Sequence, residues 1–174
     1  MSAAVPDSRP PLDPPLGDSL VAFVESGLSI TVASRGERLV PSIAKAAGFR
    51  VAPDRGSVSV LLFADVAEAV LRDIAHCAQV AVCLTRPSTN QTVQLKGRDA
   101  RAQLATPQDV AAARTGIDRL IDDLLPLGFS RSMLDPFFWH DPADLLAVHF
   151  TPDAAFAQTP GPHAGRRLEP GDVR

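Results

Sequence analysis

Apolar and polar positions alternate along much of the chain with a period of two. Val80, Val82 and Leu84 alternate with Ala81, Cys83 and Thr85, and Val93 and Leu95 alternate with Thr92, Gln94 and Lys96. This is the period of half-buried strands, one face apolar and the other carrying donors. Between the two runs lie Arg86, Ser88, Thr89, Asn90 and Gln91, a connection dense in hydrogen-bonding side chains. The same period marks Leu28, Ile30 and Val32 as a first strand. The turn residues Ser34 to Glu37 then predict a hairpin into a second strand from Leu39 to about Val51. Asp54-Arg55-Gly56 signals another turn, followed by a third strand over 57–63. Strands four and five are expected at 79–85 and 91–104, and a sixth from Asp144 to Thr151. Pro152-Asp153 would reverse that last strand into Ala154–Gln158.

Three stretches break to helical spacing. Leu20, Phe23 and Val24 define a short helix over about 19–26, capped by Asp18 or Ser19 and ended by Gly27. Val66, Val70, Ile74 and Cys77 form a stripe behind a cap at Asp65. A longer helix begins at Thr106, with Pro107 at the favoured first position and Asp109 in the first turn. Its apolar face is Val110, Ala113, Ile117, Leu120, Ile121 and Leu124, and Pro126 and Gly128 end it. Six or seven strands in hairpins with two to three flanking helices predict a mainly β (α+β) antiparallel barrel with helices outside.

Composition narrows the classes. The 174 residues suit one domain, expected over 18–158. Before it stands a Pro-rich arm, 1–17, expected to be disordered, and after it a Pro- and Gly-rich tail, 159–174, expected on the surface and flexible. A net charge of −3 argues against a general binder of nucleic acid or acidic membrane. Two cysteines make no disulfide scaffold and suit a reducing compartment. With no apolar run long enough for a signal or a span, a cytoplasmic protein is expected.

The candidate chemistry is that of ligand binding. His76, His140, His149 and His163 lack metal-ligand spacing. GxGxxG, GxxxxGK[ST] and GxSxG motifs are absent. Thr92, Gln94 and Lys96 project from one strand face and could line a wall. Lys45, Arg50, Arg86 and Lys96 offer charge, and Ser88, Thr89 and Thr92 hydroxyl donors. Trp139, within the aromatic run 136–142, suits either a ring cover or a core plug.

The order of elements, with CAQVAVCL at 77–84 followed by QTVQLKGRDARAQL at 91–104, resembles the pyridoxamine 5′-phosphate oxidase-like family of FMN-binding split β-barrels. The resemblance covers roughly residues 18–158. It implies a split barrel, an FMN cofactor held at the interface of a homodimer, and a flavin-mediated oxidoreductase acting on a small-molecule substrate. In that family an Arg and a Lys five apart on the second strand hold the FMN phosphate, and here Lys45 and Arg50 keep that spacing with the types exchanged. A Ser-Arg-Lys triplet at the following helix start is replaced here by Glu68, Ala69 and Val70. The resemblance therefore nominates Lys45, Arg50, Arg86, Ser88, Thr89, Thr92, Gln94 and Lys96 as cofactor-binding residues and names no catalytic residue. Haem, with His140 or His149 as ligand, a deazaflavin, or a cofactor-free interaction protein stand as alternatives.

Overall fold

The structure is a computed structural model that describes residues 16–168. Most of the Pro-rich arm and residues 169–174 of the tail lie outside the described residues. Among the described residues nine strands and four α-helices occur in the order α1 (Asp18–Val24), β1 (Ser29–Arg35), β2 (Pro41–Ala46), β3 (Gly48–Val51), β4 (Val58–Phe63), α2 (Ala64–Cys77), β5 (Val80–Arg86), β6 (Gln91–Gly97), β7 (Arg101–Leu104), α3 (Pro107–Leu124), α4 (Arg131–Phe138), β8 (Leu145–Phe150) and β9 (Ala154–Ala157). Every pairing is antiparallel. A five-stranded sheet runs β2-β1-β5-β6-β9 and a four-stranded sheet runs β3-β4-β8-β7.

The antiparallel α+β architecture is the one the alternation predicts. The strand count exceeds six or seven because two long predicted strands each cross between sheets. The run 39–51 breaks at Ala47, whose N–H bonds the Leu61 carbonyl, so β2 and β3 lie in different sheets. The run 91–104 breaks after Gly97. A Cβ there would stand 2.4 Å from the Phe150 ring, so only glycine admits this close crossing. Leu39 falls in the hairpin turn at φ 60° rather than in a strand.

The main core lies between the two sheets. Val32, Val82 and Leu95 from one meet Val60, Leu62 and Val148 from the other, and α2 adds Ala67, Val70 and Ile74. The α2 stripe is therefore displaced from the predicted one: Val66 is 49% exposed and Ala67 takes its place. Helix α2 begins at Ala64 after Phe63 with no side-chain cap, and Asp65 sits in the first turn. The outer face of the four-stranded sheet carries a second core, where Leu61, Phe63 and Ala147 pack against Ala113, Ile117 and Ile121 of α3. Helix α3 starts with the expected Thr106 and Pro107. Thr106 and Asp109 form a reciprocal capping box.

Helix α4 was not legible in the sequence, because Pro136 lies inside it and argues against a helix. Tertiary contacts hold it instead. Arg114 Nη2 bridges Asp118 Oδ1 at 2.9 Å and Asp135 Oδ1 at 2.8 Å, tying α4 to α3. The tail also docks in part: Leu168 N donates to Ala155 O at 2.8 Å, and Leu168 is buried. Among the described residues no helix is long and apolar enough to cross a membrane.

Candidate functional site

Register decides which polar side chains can meet. In the five-stranded sheet Lys45 pairs with Thr31, Thr31 with Cys83, Cys83 with Gln94 and Gln94 with Phe156. The next row on the same face is Ile43, Ala33, Ala81, Lys96 and Ala154. Both rows point away from the core, since residues of opposite parity such as Val32, Val82 and Leu95 fill it. Four of the eight nominated residues, Lys45, Thr92, Gln94 and Lys96, therefore share this outward face. Contacts along it agree. Lys45 Nζ donates to Ser29 Oγ at 2.7 Å and to Thr31 Oγ1 at 3.1 Å. The Thr85 and Thr92 hydroxyls lie 3.0 Å apart, and Gln94 Nε2 donates to Cys83 Sγ at 3.4 Å. Packing around the Lys45 ammonium lowers its pKa by desolvation, although the residue as a whole is exposed. Lys45 and Lys96 stand three strands apart, roughly 14 Å between backbones, so within one chain they do not converge on one phosphate.

The other four nominated residues go elsewhere. Arg86 has the parity of Leu84 and so turns to the opposite side of the sheet. There its Nη2 donates to Ser26 Oγ at 2.6 Å and its guanidinium lies 5.4 Å from the centre of the Phe23 ring. Ser88 donates from its N–H and its hydroxyl to the Asp123 carboxylate at 2.9 and 2.6 Å. Thr89 lies in the same turn, its N–H bonded to Arg86 O. Arg50 belongs to the other sheet and forms an ion pair with Asp109. Burial raises the Asp109 pKa, but the hydrogen bonds from Thr106 and the Arg50 partner outweigh it and hold the carboxyl below its ordinary value. The five-residue spacing of Lys45 and Arg50 thus straddles the break at Ala47 and brings the two onto different sheets.

The residues that do converge surround a groove of about 400 Å³ on the outward face of the five-stranded sheet. Its floor is Ala33, Ala81 and Ala154. Lys96, Arg35 and Arg98 line it with Gln79, Asp153 and Phe156. Arg35 Nε donates to Gln79 Oε1 at 3.2 Å, which orients the guanidinium. Lys96 Nζ sits 4.8 Å from the centre of the Phe156 ring, within cation–π range. Arg98 Nε lies 3.2 Å from Asp153 Oδ2. Three cations face one carboxylate. Of the lining residues, Lys96 is among those nominated from the sequence, and Arg35, Gln79, Arg98 and Phe156 are not. Arg35 was within reach, because its parity matches Thr31 and Ala33. Phe156 was not, because its place beside Gln94 depends on the β6–β9 pairing.

The start of α2 presents the reverse electrostatics. Asp65 Oδ2 accepts from His140 Nδ1 at 2.8 Å, and Glu68 is exposed one turn on. Val70, at the third position of the replaced triplet, is fully buried. Two carboxylates at this helix end repel a phosphate dianion, so the residues here do not fit the FMN phosphate. Trp139 packs edge-on against Phe63, centroids 5.7 Å apart, on the second core rather than the groove. His149 Nδ1 lies 2.7 Å from Ser59 Oγ, also away from the groove. Among the described residues no group of three or more His, Cys, Asp or Glu could hold a metal ion.

No protein-family model matches the chain, and no curated protein sequence does so. Solved structures do. HupZ of Group A Streptococcus superposes with a TM-score of 0.51 at 12% identity, over 86% of this chain and 99% of that one. A candidate pyridoxamine 5′-phosphate oxidase from Lactobacillus delbrueckii gives a TM-score of 0.51 at 12% identity, over 82% of this chain and 94% of that one. At this identity the likeness is one of fold: the chain has the pyridoxamine 5′-phosphate oxidase-like fold.

Proposed function

We propose that the protein binds FMN, or a phosphate-bearing relative such as a deazaflavin, in the groove on the outward face of the five-stranded sheet, and serves as an oxidoreductase. The observation that carries this reading is the pairing of a floor of small side chains, the adjacent Ala33 and Ala81, with the cations Lys96, next on the same row, and Arg35, next on the same strand face. A planar heteroaromatic ring needs a floor without bulky side chains, and a phosphate needs fixed cationic donors. Lys96 and Arg35 would take the phosphate, Phe156 would flank the ring, and the Gln79 amide would supply a further polar contact. When bound, the flavin supplies hydride or electron transfer, and the protein's part is orientation and charge.

A second copy of the chain against this face completes the reading. Ile43 on the same face is 70% exposed, and Val40 and Leu39 at the hairpin are 63% and 67% exposed. Apolar side chains beside a polar groove favour such a partner. It would also bring Lys45, too distant in its own chain, within reach of the neighbouring groove.

The test is the visible absorption spectrum of the protein as purified, repeated after incubation with FMN and removal of the excess. A retained flavin spectrum at about one per chain, lost in Lys96→Ala and weakened in Arg35→Ala, supports the proposal. A protein that retains no FMN, or variants that retain as much as the native chain, would overturn it and favour a cofactor-free interaction role.

A further inference from the structure

A second concavity, of about 480 Å³, lies between the end of α1, strand β3 and helix α3. It shares no lining residue with the groove. Helix α3 is its longest wall. Gln108, Thr115 and Arg119 stand at i, i+7 and i+11 on the face turned from the Ile117 and Ile121 core, with Ala111, Ala112 and Gly116 between them. The two ends of that series are roughly 16 Å apart along the helix axis. Small residues in the middle leave an elongated space with polar ends. Opposite the first turn is Arg50, which spends one guanidinium nitrogen on Asp109.

Arg119 is exposed to solvent, but its stem is seated against the backbone that follows α1. A Cβ at Gly27 would lie 2.2 Å from Arg119 Cβ, so Gly27, at φ +81°, lets the arginine stem pack directly on the backbone after α1. Its Nη1 donates to the Glu25 carbonyl, which fixes the guanidinium at the mouth of the cleft. A pre-positioned guanidinium loses little conformational freedom on meeting an anion. Thr115 stands one helical turn away on the same face and adds a hydroxyl donor.

We propose that this cleft is a binding site for a small organic anion, its carboxylate or phosphate held by Arg119 and Thr115 and its polar body reaching toward Gln108 and Arg50. The site is independent of the flavin reading, because it shares no lining residue with the groove.

The experiment is an amide NMR titration of the full chain with sodium phosphate and, separately, sodium succinate at constant ionic strength. Saturable shifts centred on Gly27, Thr115, Gly116 and Arg119 are expected. Binding should weaken about tenfold in Arg119→Ala, as for loss of a charge-assisted hydrogen bond, and stay unchanged in Lys96→Ala. Saturation by succinate alone assigns a carboxylate, and by phosphate alone a phosphate, each in support. If Arg119→Ala fails to fold for want of its contact with α1, Thr115→Val carries the test, with weaker saturable binding expected. Linear shifts without saturation, or saturation that neither variant weakens, would overturn the proposal.

Discussion

The two sheets share one construction and end with opposite outward faces. On the four-stranded sheet Leu61, Phe63 and Ala147 point outward into α3 and α4, and all are buried. On the five-stranded sheet the corresponding face carries Thr31, Ala33, Ala81, Cys83, Gln94 and Lys96, and no helix among the described residues covers it. An antiparallel sheet commonly keeps one face wet, but a wet face of an ordinary sheet is crowded with long charged side chains. Here small side chains, Ala33 and Ala81, lie next to Lys96 on one row, and Arg35 stands at the end of β1. The difference teaches where the chain spent its apolar side chains on its own stability and where it kept a surface for something else.

The largest losses are expected on the covered side. Arg50→Ala leaves the Asp109 carboxylate buried without its partner and is expected to destabilise by about 3 kcal/mol, measured by urea unfolding. The pH dependence has a definite sign. Asp109 has a depressed pKa in the folded state, so its contribution is full above the unfolded value of about 4 and is lost as pH falls below it. Acid unfolding should therefore be steeper in the native chain than in Asp109→Asn. Leu61→Ala, at a fully buried position between β4 and α3, should cost about 2 to 5 kcal/mol by the same measurement.

The uncovered face should respond in the opposite way. Lys96→Ala is expected to change stability by under about 1 kcal/mol while abolishing FMN retention, so thermal unfolding and absorption spectra would separate the two effects. Gln94→Ala, which gives up only a weak contact to Cys83, should lie within about 0.5 kcal/mol of the native protein. A large loss of stability in either variant, without bound ligand, would mean that the two faces do not differ as described.

Much of the fold was legible because period two and period 3.6 are local. Strands β1, β5, β6 and β8, helix α3 with its Thr106 cap, and the existence of the β1–β2 hairpin follow from neighbours in sequence, although its turn lies at 36–40 rather than 34–37. The reversal expected at 152–153 does not form: β9 keeps the direction and register of β8 and passes from β7 in one sheet to β6 in the other. Parity alone also separates Arg86 from Thr92, Gln94 and Lys96, a deduction open to anyone counting along β5 and β6. The nominated site was only half legible. Lys45 and Arg50 look like partners at five-residue spacing, yet the crossing at Ala47 sends them to different sheets. Ser88 looks like a ligand donor, yet α3 returns to offer it Asp123.

The alternation, the Thr106 cap of α3, the antiparallel α+β class and the side of each strand that faces the core came from the sequence by itself, since these depend on residues within one turn or one pleat; the caps expected at Asp18 or Ser19 and at Asp65 do not form. Only the tertiary structure decided that β9 lies beside β6 and carries Phe156 to Gln94, that α4 persists across Pro136, and that Arg35, Lys96 and Arg98 meet around one groove. Those contacts join residues separated by scores of positions. Their formation depends on packing the two sheets against each other, a balance of burial and chain closure that no local pattern records.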